Sequence, residues 1–277
     1  MKNPIISPTD PLPDEREPTI AEQIDALADP DFMTSLARGL AVLSAFSDAR
    51  TPQTIAQLSQ KTGIPRAAVR RCLHTLKQLG YADAEFNNFS LRPKVLTLGY
   101  SYLSSTPLAV SSQPCLNAVS RALGESSSLA VLEDGEVLYV ARAAAARVMS
   151  VALNTGSRLP AYCTSLGRVM LAQLAPAELD AYFARVTLRP MTAHTVVDEA
   201  RLRAILDGVR RNGYAIIDEE LELGLRSIAV PVRGASGRVL AALNTGAQAA
   251  RVGVERMREE FLPVLQRGAQ ELGVLLP

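Results

Sequence analysis

Arg66, Arg70, His74 and Lys77 recur at three- and four-residue steps. At about 100° per residue this spacing gathers them on one side of a helix. Val69, Cys72, Leu73, Leu76 and Leu79 fall on the opposite arc, with Arg71 at the edge of the basic one. Cationic groups in such a row donate hydrogen bonds to phosphates and to the acceptor edges of bases in a major groove. A second set is Thr164 and Ser165, ahead of a helix expected to start near Gly167. Hydroxyls and backbone N–H groups converging at a helix start favour a carboxylate. Arg142, Arg147, Arg158, Arg168 and Arg226 are candidates for a charge-assisted bond to it. A third set, Cys163 with His194 and Asp198, has the residue types of a thiol triad or, with another acid, of a zinc site. Its spacing matches no catalytic or ligand signature, so neither an enzyme nor a metal or cofactor site is expected.

The basic row belongs to the stretch TPQTIAQLSQKTGIPRAAVRRCLHTLKQLG, residues 51–80. Thr51 suits an N-cap and Pro52 a first helical position. The helix they open carries Ile55 and Leu58 and closes at Gly63, and Pro65 opens a longer basic helix that runs to Gly80. Short helix, glycine turn and longer basic helix make a helix-turn-helix. Upstream, Leu36, Leu40, Leu43 and Phe46 give the helix Asp31–Phe46 a stripe expected to pack on that motif. Downstream, residues 85–90 read as two short strands turning at Asn87-Asn88, the wing of a winged helix. The expected contacts to double-stranded DNA are Thr54, Pro65, Arg66, Ala67, Arg70, Arg71 and His74, with Asn87 and Asn88 on the wing.

Composition agrees with a folded chain of two-domain size. Its 277 residues are 48% hydrophobic and 21% charged, enough for two domains. No apolar run reaches the roughly 18 residues that span a bilayer, and the N-terminus lacks a hydrophobic signal core. A cytoplasmic protein without a membrane partner is expected. The three scattered cysteines suggest no disulfide framework. The net charge of +1 hides an asymmetry. Residues 1–30 carry two basic and seven acidic side chains, −5; residues 31–95 carry nine and four, +5. The positive charge thus accompanies the helix-turn-helix, as docking on phosphates requires.

The organisation expected is a disordered extension over 1–30 with a short helix near Ile20–Leu27, a winged helix-turn-helix over 31–92, a linker helix over 93–106 and an α+β domain over 107–277. The linker is apolar around most of its circumference, which points to packing against a partner subunit. In the last domain helices are expected over 108–123, 168–174, 176–185, 198–212 and 254–272. Strands are expected over 127–132, 136–141, 147–153, 214–217, 227–232 and 239–244, with Asp134-Gly135 joining the first pair as a hairpin. A DNA-binding protein without a ligand is the simpler alternative, but some 170 residues exceed what dimerisation alone needs.

The phrases TSLARGLAVLSAF, LSQKTGIPRAAVRRCLHTLKQLGY, LPAYCTSLGRVMLA and GYAIIDEELELGLRSIAVPV, in this order, resemble the IclR family of bacterial transcription regulators over residues 31–277. The wording is most similar to the branch that controls aromatic-acid breakdown through the β-ketoadipate pathway, on protocatechuate or 4-hydroxybenzoate genes; regulation of another carboxylate pathway is the alternative. The resemblance implies an N-terminal winged helix, a linker helix and a GAF-like effector domain. It also implies a homodimer or dimer of dimers on an operator, with RNA polymerase a further partner. Its implied effector is a small carboxylate over the sheet, touching Thr164, Ser165, Leu166 and Gly167 in the loop, Val148 and Val151 on the preceding strand, and the acid Asp218. The implied contacts also include Ser227, where cysteine is frequent in the family, and Asn244 and Gly246 on the last strand, where some members have serines; Ser227 and Asn244 are departures from the family's pattern.

Overall fold

The computed structural model describes residues 18–27, 29–46, 51–145 and 153–276. Backbone contacts divide the chain into two compact units, the division falling between Tyr100 and Ser101.

The first unit holds α1 (Ile20–Asp25), α2 (Thr34–Ser44), β1 (Gln53–Thr54), α3 (Ile55–Thr62), α4 (Arg66–Gln78), β2 (Ala82–Glu85) and β3 (Asn88–Leu91). Its core joins Val42 and Phe46 of the α2 region to Leu58, Ile64, Val69 and Leu73. Three expectations shift here. The cap of α3 is Thr54, not Thr51. Thr54 Oγ1 accepts from the Gln57 N–H at 3.2 Å, and Gln57 Oε1 accepts from the Thr54 N–H at 2.8 Å. This reciprocal capping box satisfies two donors at once, and it frees residues 53–54 to pair with β3. The packed face of α2 is set by Val42 and Phe46, while Leu36 and Leu40 are exposed. The short helix expected near Ile20–Leu27 is present as α1, and with Ala21 and Ile24 buried the described part of the extension is not disordered. Thr19 lies where a Cβ on Gly63 would come within 2.6 Å of it, so the turn glycine makes room for the segment leading into α1.

The wing also turns one residue early. Glu85 pairs with Asn88, so the turn is Phe86-Asn87 rather than Asn87-Asn88. Residues Pro93–Val95 form a 3-10 turn that leads into α5 (Leu96–Ser105), none of whose residues is buried.

The second unit holds α6 (Pro107–Leu123), β4 (Ser126–Glu133), β5 (Glu136–Ala143), β6 (Arg158–Pro160), α7 (Ser165–Leu171), α8 (Pro176–Arg185), α9 (Glu199–Asn212), β7 (Ala215–Asp218), β8 (Leu225–Arg233), β9 (Val239–Gln248), α10 (Val254–Arg256) and α11 (Leu262–Val274). The sheet is antiparallel throughout, in the order β6-β5-β4-β9-β8-β7. Strand alternation sorts its side chains to two faces. Leu129, Ile228, Val230 and Leu243 pack with α6 and α11. Ala130, Ala229 and Ala242 pack with α7, α8 and α9. The strand expected over 147–153 falls almost wholly on 146–152, outside the described residues. Helix α7 starts at Ser165, earlier than expected, because Thr164 caps it.

Candidate effector pocket and nucleic-acid interface

Two rungs of the second unit's sheet form the floor of a pocket. On one rung Arg142, Ser128 and Asn244 stand directly opposite one another on β5, β4 and β9. On the next, Ser126, Gly246 and Ser227 do so on β4, β9 and β8. Residues opposite each other on antiparallel strands share a face, so both rungs point toward α7. Tyr139, Leu153, Cys163, Thr164, Ser165, Leu221 and Leu225 complete the wall. The space enclosed is about 450 Å³ including its open mouth. The pocket is narrow, and Ser165 Oγ bonds Ser227 Oγ across it at 2.9 Å.

Electrostatics set Arg142 apart. Its Nη1 donates to Ser128 Oγ at 3.2 Å, and no carboxylate pairs with it among the described residues. Burial lowers its pKa from the ordinary guanidinium value. Three of the other candidate arginines have partners: Arg158 bonds Glu136, Arg226 bonds Asp218, and Arg168 makes a buried bidentate pair with Glu220 at 2.7 and 2.6 Å. Arg147 lies outside the described residues. A half-buried cation surrounded by hydroxyls is suited to receive an anion. Burial also pushes the Tyr139 phenol up to about 12 and the Cys163 thiol up to about 12, so both stay neutral hydrogen-bonding groups near neutral pH.

Of the expected effector residues, Thr164, Ser165, Ser227, Asn244 and Gly246 meet in this pocket. Asp218 does not. It stands opposite Arg226 while its neighbour Ile217 stands opposite Ser227, so the one-residue step places Asp218 on the other face of the sheet. Leu166 is core, wholly buried. Gly167 supports the turn rather than the wall, since a Cβ there would lie 2.1 Å from the Ala161 carbonyl oxygen. Its N–H is taken by Thr164 Oγ1 at 3.1 Å, so it is not open to a ligand as the spacing suggests. Val148 and Val151 lie outside the described residues. The sequence reading missed Ser126, Ser128, Tyr139, Leu153, Leu221 and Leu225. Three consecutive serines opening an otherwise apolar central strand were the available signal.

Cys163, His194 and Asp198 do not assemble. Cys163 is buried at the pocket, where its thiol faces the Pro160 carbonyl. His194 is exposed. Asp198 caps α9, accepting from the Arg201 N–H at 2.7 Å. No group of three or more metal-ligating side chains occurs among the described residues, and none of their helices is long and apolar enough to cross a membrane.

In the first unit, Arg66, Ala67 and Arg70 of α4 line one concave surface with Thr54, Ile55, Ala56 and the wing residue Asn87. Pro65, His74 and Asn88 are exposed nearby in sequence but outside that surface. Arg71 turns away. It lines an apolar groove between α2 and α4 with Leu36, Leu40 and Leu79.

Residues 100–274 match the model of the bacterial transcriptional regulator IclR C-terminal domain, and residues 35–85 match the IclR helix-turn-helix domain. The chain belongs to the IclR family. It is 52% identical to the Pca regulon regulatory protein of Pseudomonas putida over 91% of this chain and 87% of that one. It is 39% identical to the p-hydroxybenzoate hydroxylase transcriptional activator of Acinetobacter baylyi over 87% and 91%. The crystal structure of an IclR homologue from Microbacterium hydrocarbonoxydans complexed with 4-hydroxybenzoate is 26% identical, with a TM-score of 0.75 over 87% of this chain and 98% of that one. Like the other members of the family, this chain is a transcriptional regulator.

Proposed function

We propose that the chain regulates aromatic-catabolism genes. In this reading it binds an operator through α4 and the wing and is switched by an aromatic carboxylic acid in the pocket of the second unit. The observation that carries the ligand class is Arg142, a cation that meets no carboxylate among the described residues and stands in a wall of hydroxyls and one phenol. Arg142 and Ser128 receive the ligand carboxylate, and Ser165, Ser227 or Asn244 bonds a ring hydroxyl. The names of the Pseudomonas and Acinetobacter relatives and the 4-hydroxybenzoate in the Microbacterium structure support the same class. Arg66 and Arg70 read or clamp the duplex from one surface with Asn87, while Arg71 plays no direct part. No catalytic role is assigned.

A single α4 spans few base pairs, so two half-sites and a homodimer or dimer of dimers follow from this reading. The unburied apolar side chains of α5 support self-association. Binding of the acid must favour one arrangement of the assembly over another if it is to switch transcription.

Isothermal calorimetry of the full chain with 4-hydroxybenzoate, protocatechuate, benzoate and β-ketoadipate tests the ligand class. Binding of a hydroxylated aromatic acid in preference to benzoate is expected; no binding by any of them sinks the reading. For the DNA half, duplexes enriched from a random pool by the wild type should lose affinity for an Arg66→Ala/Arg70→Ala variant and keep it for Arg71→Ala.

A further inference from the structure

Phe86 is the most exposed large apolar side chain among the described residues, at 95%. It holds the first position of the two-residue wing turn with φ +52°, a region costly for a bulky L-residue and normally given to glycine or asparagine. Neither burial nor turn chemistry accounts for a phenylalanine there, and a strained, solvated residue that persists points to a function outside the fold. The wing, residues 82–91, has no lysine or arginine but carries Asp83 and Glu85. The tip itself, Phe86-Asn87, is uncharged, so whatever it adds to DNA binding is not ionic. The next residue, Asn87, shares its concave surface with Arg66 and Arg70.

We propose that Phe86 is an apolar wedge that enters the minor groove beside the stretch read by α4 and partly unstacks one base step. Asn87 donates from its amide to the acceptor edge alongside. Apolar wedges of this kind kink a duplex and favour easily unstacked pyrimidine–purine steps. The wing then selects sequence by deformability at a position where α4 makes no base contact. The inference rests on the reading of α4 as the DNA-contacting helix.

The test uses the full chain and duplexes enriched from a random pool by the wild type, with 2-aminopurine placed at successive steps under the wing. Wild type should raise the fluorescence at one step. Phe86→Ala should abolish that rise and weaken binding by on the order of tenfold. Phe86→Gly should do the same while raising the melting temperature, because the turn strain is relieved; this shows that the variants fold. Unchanged affinity and unchanged fluorescence in Phe86→Ala overturn the wedge alone, provided Arg66→Ala/Arg70→Ala still loses binding. An alanine variant that binds and unstacks normally but supports less transcription with purified RNA polymerase also overturns it, in favour of a protein contact. If wild type enriches no duplex, the α4 reading fails together with the wedge.

Discussion

Ser165 Oγ and Ser227 Oγ lie 2.9 Å apart, 62 residues from each other in sequence. One hydroxyl comes from the first turn of α7 and the other from β8, and the bond between them holds the pocket narrow. A ligand hydroxyl can take the place of either partner. Replacing Ser165 by leucine fills the gap with a branched apolar side chain. The best aromatic acid should then bind at least an order of magnitude more weakly in calorimetry. Equal affinity would remove Ser165 from the site.

Arg142 should supply the charge-assisted bond to the carboxylate. Arg142→Gln is expected to weaken the acid by about 1.5–3 kcal/mol, the usual range for a hydrogen bond to a charged group. The matching amide, 4-hydroxybenzamide, should bind wild type and variant alike. Discrimination by the amide as strong as by the acid would argue that the effect is one of shape, not charge.

Arg168 and Glu220 are both nearly inaccessible, and Glu220 also accepts from the Val196 N–H at 3.0 Å. Arg168→Leu leaves that carboxylate buried without its cation and should cost ~3–5 kcal/mol in urea unfolding. The double variant Arg168→Leu/Glu220→Leu should be markedly more stable than the sum of the single losses. Additivity would mean that the two side chains act separately.

Two glycines give opposite expectations for the same substitution. A Cβ on Gly167 meets the Ala161 carbonyl at 2.1 Å, whereas one on Gly208 in α9 meets nothing within 4 Å. Gly167→Ala should destabilise by ~1–3 kcal/mol through forced displacement and disturb effector binding. Gly208→Ala should stabilise by roughly 0.5–1 kcal/mol, as expected inside a helix. Thermal melts of the two variants check both signs.

Burial raises the Cys163 thiol from 9.0 to about 12. A group whose folded pKa lies above its unfolded value stabilises fully below the unfolded value and loses that effect as pH rises toward the folded one. Wild type should therefore lose stability between pH 9 and about 12, and Cys163→Ala should lose less of it over the same window. Tyr139, raised by burial from 10.0 to about 12, leaves a residual slope in the variant. Parallel curves for the two proteins would show that Cys163 is not the titrating group.

The sequence made the helix-turn-helix legible because amphipathic spacing and a turn glycine are local signals. The boundaries it missed were settled by reciprocal bonds. Thr51 and Thr54 both precede the helix, and only the Gln57 side chain decides between them. The pocket was half legible. Thr164, Ser165, Ser227, Asn244 and Gly246 stand out by motif, but the face on which Asp218 lies depends on its pairing with Arg226, and parity cannot be counted without the register. Arg142 was one of five candidate arginines. What separates it from Arg158, Arg168 and Arg226 is that no acidic partner meets it among the described residues, a property of the folded chain.

The β4–β9 ladder joins residues 126–130 to residues 242–246, and both polar rungs of the pocket cross that seam. Chains emerge N-terminus first during synthesis, so the winged helix can fold while β9 is still inside the ribosome. A nascent chain therefore passes through an interval in which it can engage DNA but has no place to hold an effector. The pocket is completed last, with the arrival of a single strand near the end of the chain, and a chain truncated ahead of Val239 would lack the floor of the proposed effector site while keeping α4 and the wing.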